Sequence, residues 1–229
     1  MMKTLAALAL LPLAAGALWA LLGPLGALLR SAGTTWPFIL GAAAYLPFGL
    51  ASRGSGKAYI LSHELTHAAA AALCGIKVGG ISVGRRAGHV KLAGSNAFVD
   101  LAPYFVPLYA LAAALAYFVS PYFVDLRPFR HWFTALTAFL LSFHLVNTAA
   151  VMAGPVQSDF RKAGGVVFSF SLVLLANALC LALCLKALYP AAFSLKDFFS
   201  SACHRAALIA WGAGRLLEAA INTAKIYFG

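Results

Sequence analysis

The sequence predicts an all-α polytopic membrane protein of about five to six membrane helices, with a small β-hairpin after one helix and an amphipathic helix at the C-terminus. Three observations carry this. The chain is 62% hydrophobic and only 10% charged, with a mean hydropathy of +0.87, and several apolar runs reach or approach the roughly 20 residues that cross a bilayer. One stretch, 76–93, changes from continuous apolar sequence to strand-like alternation. The last stretch carries a polar stripe on an otherwise apolar helix. With 229 residues, the expectation is a single membrane-embedded domain over 1–229.

The net charge of +11 comes from 17 Lys+Arg against 6 Asp+Glu. The basic residues are scattered over loops and ends, which suits contacts with anionic lipid headgroups and argues against a nucleic-acid partner. Cys74, Cys180, Cys184 and Cys203 form no C-x-x-C pair and read as small packing residues.

Residues 1–29 open with Lys3 and continue Leu/Ala-rich. A secretory signal peptide is one reading. The apolar run outlasts a typical signal core, which favours a retained membrane helix. After a polar link at 30–35 comes a second apolar run, 36–50, containing Pro37 and Pro47. It is short for a span and is expected to be tilted, broken or re-entrant. Arg53 to Lys57 form a loop, and Ser55 or Gly56 is the expected helix start.

Residues 57–74 then give a helix of about 27 Å, with Gly75 as its stop. It holds His63-Glu64-Leu65-Thr66-His67. Two histidines four apart lie on one helix face, so their ring nitrogens can converge on one metal ion. Glu64 beside them is placed to act as general base on a water activated by that metal. Ionisable groups are costly in hydrocarbon, so their presence in an apolar run is itself a functional signal. Ala68 to Ala72 are small enough to admit close neighbours, which predicts a central place in the bundle for this helix.

In 76–93, Ile76, Val78, Ile81, Val83, Val90 and Leu92 alternate with polar residues and glycine around a basic tip at Arg85-Arg86, a hairpin pattern. The next span, 98–119, is entered through Pro103 and Pro107 and should be kinked or partly unwound. Spans at 131–152 and 164–188 follow, separated by a break at Gly154-Pro155. Residues 196–228 read as an amphipathic helix in the membrane interface, with a final span as the alternative. The hairpin and the 155–163 loop should face the same side, being separated by two spans.

Catalytic zinc usually takes three protein ligands, so a third is needed beside His63 and His67. Asp159, where a helix resumes after Gly154-Pro155, is chosen over His144, which lies within a span. Asp100 is the runner-up among the acids. His144 is otherwise a substrate or oxyanion contact, or a satisfied buried polar group. Gln157 stands two residues before Asp159 and is expected to orient it or to bind substrate backbone. Asn147 and Asn177 read as interhelical hydrogen-bonding residues. His89, His131 and His204 read as surface or headgroup-facing.

With these residues in hand, the sequence resembles the site-2 protease family of intramembrane zinc metallopeptidases. The resemblance rests on the motif from His63 to His67 in a membrane helix, the hairpin-like stretch after it, and an aspartate at the start of a later helix. More narrowly, it looks like small bacterial membrane metallopeptidases, through Ala102 to Phe105, Phe143 to Leu145 and Gln157 to Phe160. The family's aspartate is usually followed by glycine, whereas Phe160 follows here. The resemblance implies a metallopeptidase core over 57–188, a bound Zn2+, and residence in a bacterial inner membrane as a multi-pass protein. It also implies hydrolysis of peptide bonds in transmembrane or membrane-associated protein substrates. A strand edge near 81–92 is the expected clamp for an unwound substrate. The competing expectation is a non-proteolytic zinc-binding membrane protein, such as a pseudoprotease or a helix-binding chaperone. A transporter is weakly supported, since the spans hold few acids and no paired repeats. The oligomeric state is not encoded in any motif.

Overall fold

The computed structural model describes residues 2–51, 56–84 and 87–228. In chain order it contains α1 (Met2–Arg30), α2 (Ala32–Ala51), α3 (Gly56–Leu73), β1 (Val78–Val83), β2 (Gly88–Leu92), α4 (Ala97–Leu101), α5 (Leu108–Val119), α6 (Arg130–Ala153), α7 (Ser158–Ala163), α8 (Val166–Leu188) and α9 (Leu195–Phe228). Short 3-10 turns precede and follow α5, the first at Ala102–Tyr104. The fold is thus mostly helical, with one two-stranded antiparallel sheet.

The first two helices are separated by Ser31 alone. The Thr35 hydroxyl donates to the Leu28 carbonyl at 2.6 Å and to that of Ser31 at 3.0 Å, so the polar link caps the end of α1. The sequence suggested a tilted, broken or re-entrant second run; α2 is not broken, since it continues through Pro37 and Pro47. Packed neighbours and local adjustments make such prolines tolerable in apolar helices. Gly41 brings α2 against α6 so closely that a Cβ there would stand 2.0 Å from the Ala135 carbonyl oxygen.

The largest buried cluster joins α1, α2, α6, α8 and α9 through residues such as Ala17, Leu21, Phe38, Ala138, Leu185 and Phe198. In the same bundle Gly16 lets α9 approach, since a Cβ would meet the Ala202 carbonyl oxygen at 2.5 Å. The α3 helix is not at the centre, contrary to expectation. It packs to one side against the hairpin, the Ala102–Tyr104 turn, α4 and α5. Its alanines do admit a close neighbour: Ala70 and Ala71 cluster with Val99 and Ala102.

Gly56 (φ +47°) opens α3 and Gly75 (φ +70°) closes it. The Ile76 amide then bonds the Ala71 carbonyl at 2.8 Å, the reach-back that a left-handed C-cap allows. The hairpin pairs Val78 with Leu92, Ile81 with Val90 and Val83 with Gly88, with an irregularity between Val78 and Gly80. Val90 is its buried residue. Arg53 and Ser55 of the loop before α3, and the tip residues Arg85 and Arg86, lie outside the described residues.

The kink expected near Pro103 and Pro107 is a full break: the segments Ala97–Tyr104 and Leu108–Tyr122 meet at 80°. Proline at 107 has no N–H to donate, and the Leu108 amide turns to the Val106 carbonyl at 2.9 Å. The Tyr104 carbonyl is thereby released from the helical ladder.

Among the described residues three helices are long and apolar enough to cross a membrane, at Leu5–Arg30, Arg127–Ala153 and Val166–Leu188, or four if the bent pair is one span. This is fewer than the five to six expected. The α3 helix falls short because it carries Lys57, His63, Glu64 and His67, and α2 because prolines, glycines and threonines dilute its apolar residues. The α9 helix buries Phe198, Ala202 and Ala206 in its first half, while Trp211, Leu216 and Leu217 are exposed further along.

Candidate metal centre

His63 and His67 stand one turn apart on α3, their Nε2 atoms 3.2 Å from each other and their rings at 83°. The His67 Nδ1 lies 2.8 Å from the Val99 carbonyl oxygen. A carbonyl only accepts, so Nδ1 carries the proton and the Nε2 lone pair points at the cavity. Such a second contact is how proteins fix the tautomer of a metal-binding histidine. The His63 Nδ1 is buried without a hydrogen-bond partner.

Asp159 completes the group. Its Oδ2 is 3.7 Å from both Nε2 atoms. Zinc bonds to nitrogen and oxygen of about 2.1 Å, set tetrahedrally, place the donor atoms about 3.4 Å apart. The three separations here bracket that value. This donor set can hold a metal ion. Asp159 is held in place by its neighbour: Phe160 is fully buried and packs on Tyr104 and Phe170, with ring centroids 4.6 and 5.4 Å away. Burial alone would raise the Asp159 carboxyl. The contacts with His63, His67 and Tyr104 outweigh it and hold the group well below the usual carboxylate range.

Glu64 is buried on the same helix. It borders a cavity of about 750 Å³ that also exposes the three donors and is walled by β2 on one side and the start of α7 on the other. The hairpin and the start of α7 therefore line the same cavity. Gly88 lies directly on the carboxylate. A Cβ there would be 2.6 Å from Glu64 Cγ and 2.8 Å from Glu64 Oε1.

The other candidates lie outside the group of three donors, although Gln157, Asp100 and His89 line the same cavity. His144 is not in the group. Its Nε2 meets Asn177 Oδ1 at 3.0 Å, buried between α6 and α8, so it is a satisfied buried polar residue. Gln157 borders the cavity, but its amide donates to the Pro155 carbonyl at 2.9 Å rather than orienting Asp159. Asp100 also borders the cavity and accepts from the Ser95 hydroxyl, apart from the cluster of donors. Asn147 donates to the Tyr45 hydroxyl across α6 and α2 at 2.9 Å, as expected of an interhelical residue. His89, His131 and His204 are exposed. The residue that sequence reasoning missed is Tyr104, whose hydroxyl donates to Asp159 Oδ2 at 2.8 Å. The available signal was a tyrosine set between two prolines in an otherwise apolar entry to a span.

Comparison with family models, with curated proteins and with solved structures finds no match for this chain.

Proposed function

We propose that this protein is an intramembrane zinc metallopeptidase of the site-2 protease kind. The observation that carries the reading is the convergence of His63 Nε2, His67 Nε2 and Asp159 Oδ2 at 3.2 and 3.7 Å, in a cavity that also holds Glu64. A zinc ion held by the three would polarise a peptide carbonyl and make water acidic enough to attack it near neutral pH. Glu64 takes the proton from the attacking water and returns it to the departing amine. The intact carboxylate beside the donors favours a peptidase over a zinc-binding pseudoprotease or chaperone, which needs no base there.

In this reading α2 and α3 complete a bundle of about five to six membrane helices, in the inner membrane of a bacterium. The exposed part of α9 lies in the interface among lipid headgroups. The substrate is a transmembrane or membrane-associated protein. Helical hydrogen bonds shield a scissile carbonyl, so the substrate must unwind locally. The β2 strand borders the cavity and would receive the unwound segment along its edge.

The deciding measurement is zinc content together with cleavage of a model membrane peptide, for the wild type and Glu64→Gln. Zinc retained with cleavage abolished is the expected result. A zinc-loaded wild type that cleaves none of a varied set of membrane peptides would transfer the assignment to a non-proteolytic binder.

A further inference from the structure

Tyr104 is fixed at both ends. Its hydroxyl donates to Asp159 Oδ2 at 2.8 Å, the same oxygen that faces the two imidazoles. Its ring is 1% exposed, packed on Phe160 at 4.6 Å and edge-on to His63 at 5.2 Å. Its carbonyl, released by the break before α5, accepts from Asn177 Nδ2 at 2.8 Å and from the Thr148 hydroxyl at 3.3 Å. Asn177 is held in turn by His144. Side chains from α6 and α8 thus clamp the tyrosine backbone while its hydroxyl clamps the carboxylate.

We infer that Tyr104 is the positioning residue for the third metal ligand, setting which Asp159 oxygen faces the histidines and at what angle. The inference rests on the metal-site reading above. A carboxylate can turn about its terminal torsion, and that torsion is broad. On α7 the Ser158 hydroxyl donates to the other oxygen, Oδ1, at the long distance of 3.4 Å, and Gln157 is turned to Pro155. The Tyr104 hydroxyl is the short neutral donor to Oδ2. Outer contacts of this kind typically change metal affinity by about 10- to 100-fold when removed.

The test is zinc affinity of the full-length protein, measured by competition with a chromophoric chelator, together with the visible absorption of the Co2+-loaded form. Tyr104→Phe keeps the ring and removes only the hydroxyl. It is expected to weaken zinc about 10- to 100-fold and to shift the Co2+ bands, while the protein still folds and unfolds cooperatively. Tyr109→Phe removes a comparable hydroxyl, the one bonded to the Ala58 carbonyl at 2.8 Å, and should leave both readouts as in the wild type. A folded Tyr104→Phe with wild-type affinity and spectrum overturns the inference while leaving the metal site standing. A folded wild type that binds neither ion overturns the metal site and this inference with it. If Tyr104→Phe does not fold, the double variant Thr148→Ala with Asn177→Ala takes its place: it removes both donors to the Tyr104 carbonyl without touching the metal donors, and unchanged affinity there overturns the inference.

Discussion

Replacing Gly88 by alanine tests how Glu64 is held. The added Cβ would stand 2.6 Å from Glu64 Cγ, 2.6 Å from Ile60 Cγ2 and 2.8 Å from Glu64 Oε1. Carbon atoms rest at about 3.5 to 4.0 Å, so the strand start and α3 must separate by about 1 Å, or the carboxylate must turn aside. Overpacking of this kind costs about 1–3 kcal/mol, which the fold should survive. Its effect on chemistry is larger, because a misplacement of about 1 Å in a reacting group can lower a rate about 100-fold. The three atoms nearest the new methyl group belong to Glu64 and Ile60, not to His63, His67 or Asp159. Gly88→Ala should therefore retain zinc and lose cleavage of a membrane peptide by about two orders of magnitude. Gly80→Ala is the matched control on the same hairpin, since nothing lies within 4 Å of the Cβ it would add. A folded, zinc-loaded Gly88→Ala that cleaves within a few-fold of the wild type would refute the reasoning.

Asp159→Ala should lose zinc while His144→Ala keeps it, because the first removes a donor at 3.7 Å from both imidazoles and the second removes only a partner of Asn177; metal analysis of the two purified proteins decides it. Val90→Pro takes an amide out of β2 and should reduce cleavage with zinc content unchanged; undiminished cleavage would dispose of the strand-edge clamp. Gly41→Ala forces apart two helices whose backbones touch at Ala135. It should lower stability by about 1–3 kcal/mol, read as an earlier unfolding transition in denaturant, and an unshifted transition would contradict the packing.

The features legible in the sequence are those written locally. The histidine spacing on α3, the left-handed stop at Gly75 and the alternation of the hairpin each depend on residues a few positions apart. Asp159 was legible for a different reason: six acidic residues leave few alternatives. What the sequence did not reveal is tertiary. Pro37 and Pro47 suggested a broken α2, because nothing local says that α6 will pack beside it closely enough to make the prolines tolerable. Small alanines suggested a central α3, but the neighbour they admit is the short α4 and its turn, not the main bundle. The choice of Asp159 over His144 left the role of His144 open between ligand, substrate contact and satisfied polar residue, since its partner lies 33 residues later on another helix. The role of Tyr104 depends on a carbonyl freed by a backbone break and on two donors from separate helices.

The donors also arrive at different times. His63 and His67 leave the ribosome together, on one helix. The aspartate that completes the set follows only after the hairpin, the broken segment and α6 have been made. A nascent chain that has reached the end of α6 presents two imidazoles and Glu64 without the Asp159 carboxylate, and the cavity wall formed by α7 is missing. The division of the donor set between α3 and α7 therefore delays the complete set of three donors until most of the helices that enclose it are present.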